Sequence, residues 1–202
     1  MKKQLLVLAA GFLLIFVKSF QVWASKTTPT QCVHDMLEEI MAIQTDPSLQ
    51  GDQFKTKRKE AIKGIIAKNF DFNAMARQAL GSYWNNLSDS QRREFVRVFK
   101  DLFQDSYTRL VLNFLHREKI NYLDEKLYKG KATVTTTIVR INDTIPVKYF
   151  MVLEGNRWLN QDVEVDGVSI VKNYQRAFAR VIRNQSYEFL LERMRIQVKT
   201  LQ

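Results

Sequence analysis

The chain has 202 residues, 26% of them charged, and a formal net charge of +10 at pH 7. Cys32 is its one cysteine, so no intrachain disulfide can form and the fold must rest on its own apolar core. Two histidines and that thiol leave too few ligands for a His/Cys metal site, and no Gly-rich phosphate loop, nucleophile elbow or metalloprotease helix occurs.

The first elements are not part of the fold. Lys2 and Lys3 precede an apolar run from Leu5 to Val17, and Val22-Trp23-Ala24 ends in a small residue, which together read as a signal peptide over 1–24 cleaved after Ala24. The run is too short to span a membrane comfortably, and Gln31 before Cys32 rules out a lipoprotein cysteine. This predicts an exported protein, located in the periplasm or the medium, with residues 25–202 as one domain. Without the lysines of the leader the charge is +7, which on an exported protein points to anionic membranes, lipid headgroups or an acidic partner and not to nucleic acid.

Val33, Met36, Leu37, Ile40 and Met41 predict an amphipathic helix capped by Thr30, followed by a loop at Asp46-Pro47-Ser48 and Gly51-Asp52. A second helix is expected from Gln53 to about Lys68, basic on one face and apolar at Ile62, Ile65 and Ile66. Phe70 to Leu80 reads as a third helix stopped by Gly81, with Tyr83 and Trp84 directly after it. Ser88 and Gln91 form a capping-box pair opening a long helix to about Leu115. Phe95, Phe99, Leu102, Phe103, Tyr107, Leu110 and Phe114 make its apolar stripe so wide that it must be covered on two sides, or face a core on one side and a cavity on the other.

After Arg117 the period changes to two. Strands are expected near 120–128, 131–141, 145–154 and 157–165, joined by Lys129-Gly130, Asn142-Asp143 and Gly155-Asn156, connections short enough to force antiparallel neighbours. Ala132, Val134, Thr136 and Ile138 share one face, as do Ile145, Val147, Tyr149, Met151 and Leu153. From Asp162 to Phe178 the chain passes from a strand with Val163 and Val165 on one side, through a turn at Asp166-Gly167, into a helix carrying Ile170, Tyr174 and Phe178. Two helices, about 168–184 and 187–198, end the chain.

Few groups could do chemistry. Cys32 and His34 lie on different sides of their helix, too far around it to act as nucleophile and base. Asp162, Glu164 and Asp166 alternate along one strand, and Asp162 with Asp166 could serve as general acid and base or hold calcium, or could simply shape the turn. Apolar area is what abounds: thirteen Phe, seven Tyr and six Met. These residues line either a ligand cavity or an ordinary core.

The run Phe70, Met75, Ala76, Leu80, Gly81, Tyr83, Trp84, Ser88, Gln91 and Phe95, with Asp162-Val163, Asp166-Gly167-Val168-Ser169, Asn173-Tyr174 and Phe178, resembles the MlaC (toluene tolerance) family of periplasmic phospholipid-binding proteins. The likeness covers nearly the whole mature chain. It implies a single α+β domain in which about six to seven helices wrap a curved four-stranded antiparallel sheet around an apolar cavity. It also implies phospholipid as cargo and no cofactor, no catalytic residues, a monomeric state, and maintenance of outer-membrane lipid asymmetry. The implied partners are an outer-membrane lipoprotein/porin complex and an inner-membrane ABC transporter with its membrane-anchored substrate-binding subunit. One departure from the family pattern is Leu159-Asn160-Gln161, where such proteins carry apolar or aromatic residues before Asp-Val.

Face patterns and the resemblance together nominate Phe99, Phe103, Tyr107, Val134, Val147, Tyr149, Met151, Val163, Tyr174 and Phe178 for the lipid tails, with Tyr83 and Trp84 near the mouth. The alternatives are a carrier of hopanoid or another apolar lipid, a hydrolase working through Asp162 and Asp166, and an adaptor whose basic helices bind an acidic partner.

Overall fold

The computed structural model describes residues 27–201, so the signal peptide expected at 1–24 lies outside the described residues. Those residues form one α+β domain of six helices and one antiparallel sheet. In chain order these are α1 (Pro29–Thr45), α2 (Lys55–Asn69), α3 (Phe72–Leu80), α4 (Asp89–Phe114), β1 (Lys119–Tyr128), β2 (Lys131–Val139), β3 (Thr144–Glu154), β4 (Arg157–Val165), β5 (Val168–Ser169), α5 (Ile170–Asn184) and α6 (Tyr187–Leu201).

Helix starts follow from side-chain caps. Ser88 and Gln91 make the full capping box on α4. Asp71 caps α3 by accepting from the Ala74 amide. The cap of α1 is Thr28, not Thr30, because Pro29 suits the first helical position and the Thr28 hydroxyl accepts from the Gln31 amide. Thr30 instead gives its amide and hydroxyl to Glu125 on β1.

The sheet has five strands in the order β1-β2-β3-β4-β5, not four. The fifth arises because Asp166 (φ 49°) and Gly167 (φ 76°) both take left-handed conformations. Such a two-residue turn matches the twist of a hairpin. It folds Val168 and Ser169 back onto β4, so the next helix starts at Ile170 and not at Val168.

Register explains which residues face inward. Val134, Tyr149 and Val163 lie in one row across β2, β3 and β4, and Thr136, Val147 and Val165 lie in the next. Between Phe150 and Met151 the pairing shifts, so that Gln161 is an extra residue on β4. The bulge reverses the alternation and turns Asn160 inward, where it is almost fully buried. There its carbonyl accepts from the Asp71 amide, and its side-chain amide donates to the Asn69 carbonyl. Gln161 donates to Asp71. The polar departure seen in the sequence therefore pins the α2–α3 link to the sheet.

Helix α4 is also tied to α2 by charge. Asp105, whose side chain is 0% exposed, lies 3.3 Å from the Lys59 ammonium and 3.1 Å from that of Lys63, and Lys59 also donates to the Leu201 carbonyl at the end of α6. Removing one member of such a cluster leaves uncompensated buried charge. Asp105→Ala is expected to cost about 3–5 kcal/mol. Calorimetry should show melting lowered by about 10 °C, with Asp105→Asn intermediate.

Candidate functional site

The interior is organised by an aromatic column on α4. Phe95, Phe99, Phe103 and Tyr107 recur at every fourth residue, the spacing that places side chains above one another on one helix face. Their rings follow each other at 6.1, 6.2 and 5.4 Å between centroids. Tyr174 and Phe178 on α5 meet Phe99 edge-on, and Phe70 packs on Phe103 and Tyr107. Opposite stand the inward residues of the sheet, with Tyr149 buried in their centre.

Beyond Tyr107 the column gives way to an apolar cleft of about 140 Å³ between α1, the end of α4 and strands β2 to β4. Its lining is Leu37, Tyr107, Leu110, Val111, Phe114, Leu115, Ile138, Ile145, Val147, Tyr149 and Val165. Small-molecule pockets are generally larger, about 300–1,000 Å³. An open apolar cavity of the expected size is therefore not seen, because the α4 rings occupy the space between helix and sheet. Phe114, 42% exposed, stands at the outer edge of the cleft.

Of the residues nominated from sequence, Tyr107, Val147 and Tyr149 line this cleft. Phe99, Phe103, Val134, Met151, Val163 and Phe178 lie in the buried core around it, and Tyr174 packs against that core. Tyr83 and Trp84 sit at the other end of α4: Tyr83 stacks on Tyr187, which packs on Phe95, and Arg92 lies over the Trp84 ring. From Phe95 to Leu110 is about 22 Å along a helix. The lining residues that went unnominated, Leu110, Phe114, Ile138 and Ile145 among them, continue the same helical and strand periods one turn or one pair further on. The signal for them was present in those periods.

The carboxylates near the turn are engaged structurally. Asp162 accepts from the amides of Val163 and Val171 through Oδ1 and from the Ser169 hydroxyl through Oδ2. It thus anchors the start of α5 to β4. Glu164 pairs with Lys148 at 2.8 Å on the outer face, and Asp166 occupies the turn. Among the described residues no cluster of three or more His, Cys, Asp or Glu side chains could hold a metal ion, and no helix is long and apolar enough to cross a membrane.

The family model described as MlaC protein matches residues 34–196. A Haemophilus influenzae protein, the intermembrane phospholipid transport system binding protein MlaC, is 24% identical over 157 residues, spanning 72% of this chain and 73% of its own length. A solved structure of a phospholipid-binding protein from Ralstonia solanacearum, in complex with a phospholipid, superposes with a TM-score of 0.72 at 19% identity, covering 84% of this chain and 96% of that one. That likeness establishes the shared fold.

Burial raises the phenol pKa of Tyr107, Tyr149 and Tyr174. Burial, aided by nearby carboxylates, pushes Tyr122 and Tyr187 up to about 12. The unfolded chain ionises its tyrosines near 10, so it binds fewer protons than the native state above that pH. The stability these groups contribute is intact below about pH 10 and is lost as pH rises towards 12. In an ultraviolet titration the tyrosinate signal of native protein should lag that of denatured protein and then appear together with loss of the near-ultraviolet dichroism.

Proposed function

The chain belongs to the MlaC family, and on that footing we propose that it is a periplasmic carrier that holds a phospholipid by its acyl chains and passes it between membranes. The observation that carries this reading is the apolar cleft between α4 and the inner sheet face, closed at depth by aromatic rings and edged by the half-exposed Phe114. A phospholipid has on the order of 30 chain methylenes, and at ~0.8 kcal/mol each their exposure would cost more than ~20 kcal/mol. A carrier must cover them almost wholly, while the phosphate stays hydrated because burying it unpaired is costly.

The carrier reading requires the filled interior to open. Chains entering at Leu110, Phe114, Ile138 and Ile145 would displace the Tyr107 and Phe103 rings and widen the gap between helix and sheet. The relative's name, an intermembrane phospholipid transport system binding protein, supports movement of phospholipid between membranes; exchange between an outer-membrane complex and an inner-membrane transporter, as a monomer and without covalent chemistry, belongs to the same proposal. The commitment of both Asp162 oxygens to α5 argues against Asp162 as a general acid.

Organic extraction of protein incubated with phospholipid vesicles, followed by mass spectrometry, should recover lipid in a fixed ratio to protein. Recovery of none would overturn the proposal. Leu110→Trp should fill the entrance and lower lipid capture on the order of tenfold, with the fold retained by circular dichroism.

A further inference from the structure

Next to the cleft lies a broad open basin of about 1090 Å³, formed by the end of α1, the α4–β1 connection and the β2–β3 hairpin. Its walls carry Arg117, Lys119 and Arg140. Among the described residues none of these three forms an ion pair. The basin's two carboxylates are turned to the backbone instead: Glu118 accepts from the His116 amide and Asp143 from the Thr144 amide. The carbonyls that end α4 are likewise occupied, since the Gln44 side chain donates to those of Val111, Leu112 and Leu115. The cations therefore face water with their hydrogen-bonding capacity unspent.

Basin and cleft are contiguous. They meet where Phe114, which lines the cleft, stands against Arg140, which lines the basin. Arg140 joins the two directly, its guanidinium lying 5.4 Å from the centroid of the Phe114 ring. Such a contact is weak at an exposed site and readily exchanged. A planar guanidinium offers two parallel donors that match two phosphate oxygens better than they match a ring face.

Building on the carrier reading above, we propose that this basin is the headgroup site: Arg140, supported by Arg117 and Lys119, receives the phosphate diester of a lipid whose chains occupy the cleft. With its guanidinium over Phe114, Arg140 covers the edge of the apolar cleft. When a lipid arrives, the guanidinium leaves the ring for the phosphate, so that uncovering the entrance and fixing the headgroup are one movement. The site selects for a phosphate on the cargo. It tolerates any group beyond the phosphate, because the basin is wide and open to water.

The test compares a phosphatidylglycerol with the diacylglycerol bearing the same chains, each offered in vesicles of an otherwise identical uncharged composition. Protein is separated by flotation and its bound lipid quantified. The wild-type chain is expected to capture the phospholipid roughly tenfold better than the diacylglycerol. Arg140→Gln, and the double variant Arg117→Gln/Lys119→Gln, should lose that preference yet still capture diacylglycerol. All three residues are exposed, so melting temperatures should match wild type. Equal capture of both lipids by the wild-type chain would overturn the proposal, as would variants that keep the preference. Abolition of the preference by dilute free glycerol phosphate would reveal a site for soluble phosphate esters and would also overturn it. Capture of neither lipid would instead overturn the carrier reading on which the proposal rests.

Discussion

The constraint on which this structure depends is the need to cover a helix that is apolar around much more than one face. Phe95, Phe99, Phe103 and Tyr107 on α4 cannot be left in water, and each aromatic side chain of this kind buries on the order of 150–250 Å². The sheet covers one side of them, with Tyr149 at the centre of its inner face. On the flanks α4 is held by α2 through Asp105 and its two lysines, and by α6 through the Arg195–Glu94 pair. The strand register, the bulge at Gln161 and the Asp162 anchor on α5 all serve to bring partners onto this one stripe.

The same packing reconciles a filled interior with a carrier's role. An empty cavity large enough for two acyl chains would forfeit dispersion contacts along its whole lining. Rings that fill the space when cargo is absent recover those contacts. They also move as units of two torsions, so they can swing aside without unfolding either layer. Beside Tyr107 helix and sheet meet through apolar side chains, contacts that acyl chains can replace, while the polar ties at Asn160, Gln161 and Asp162 hold α2, α3 and α5 to the sheet.

Much of this was legible in the sequence because it rests on periods. The four-residue repeat on α4, the two-residue alternation in β2 and β3, and the Ser88/Gln91 box each announce their element locally. What escaped was set by non-local pairing. Nothing in Leu159-Asn160-Gln161 says that Gln161 is the extra residue of a bulge, and with unbroken alternation Asn160 would face outward and make no bond to the α2–α3 link. Likewise β5 exists only because the turn at Asp166 and Gly167 returns the chain to β4, a strand whose two residues are too few to show a period. Tyr83 and Trp84, named near the mouth, lie at the Phe95 end of α4, and the apolar cleft lies at the other end.

That end follows from lengths. Helix α4 has 26 residues, whereas α2, α5 and α6 have 15 each. Helix α6 starts beside α4 at Tyr187, whose hydroxyl donates to the Gln91 carbonyl. Its last described residue, Leu201, lies where Lys59 also meets Asp105. The two helices thus run side by side from about Gln91 to Asp105. From Tyr107 to Phe114 the apolar stripe continues, but its cover is reduced to Leu37 on α1 and the margins of three strands. The apolar cleft lies beside this stretch, and Phe114 at its edge is left half in water. The length of α4 carries its apolar stripe on to the cleft at the β2–β3 end, beside Arg140, and there lies the entrance proposed above.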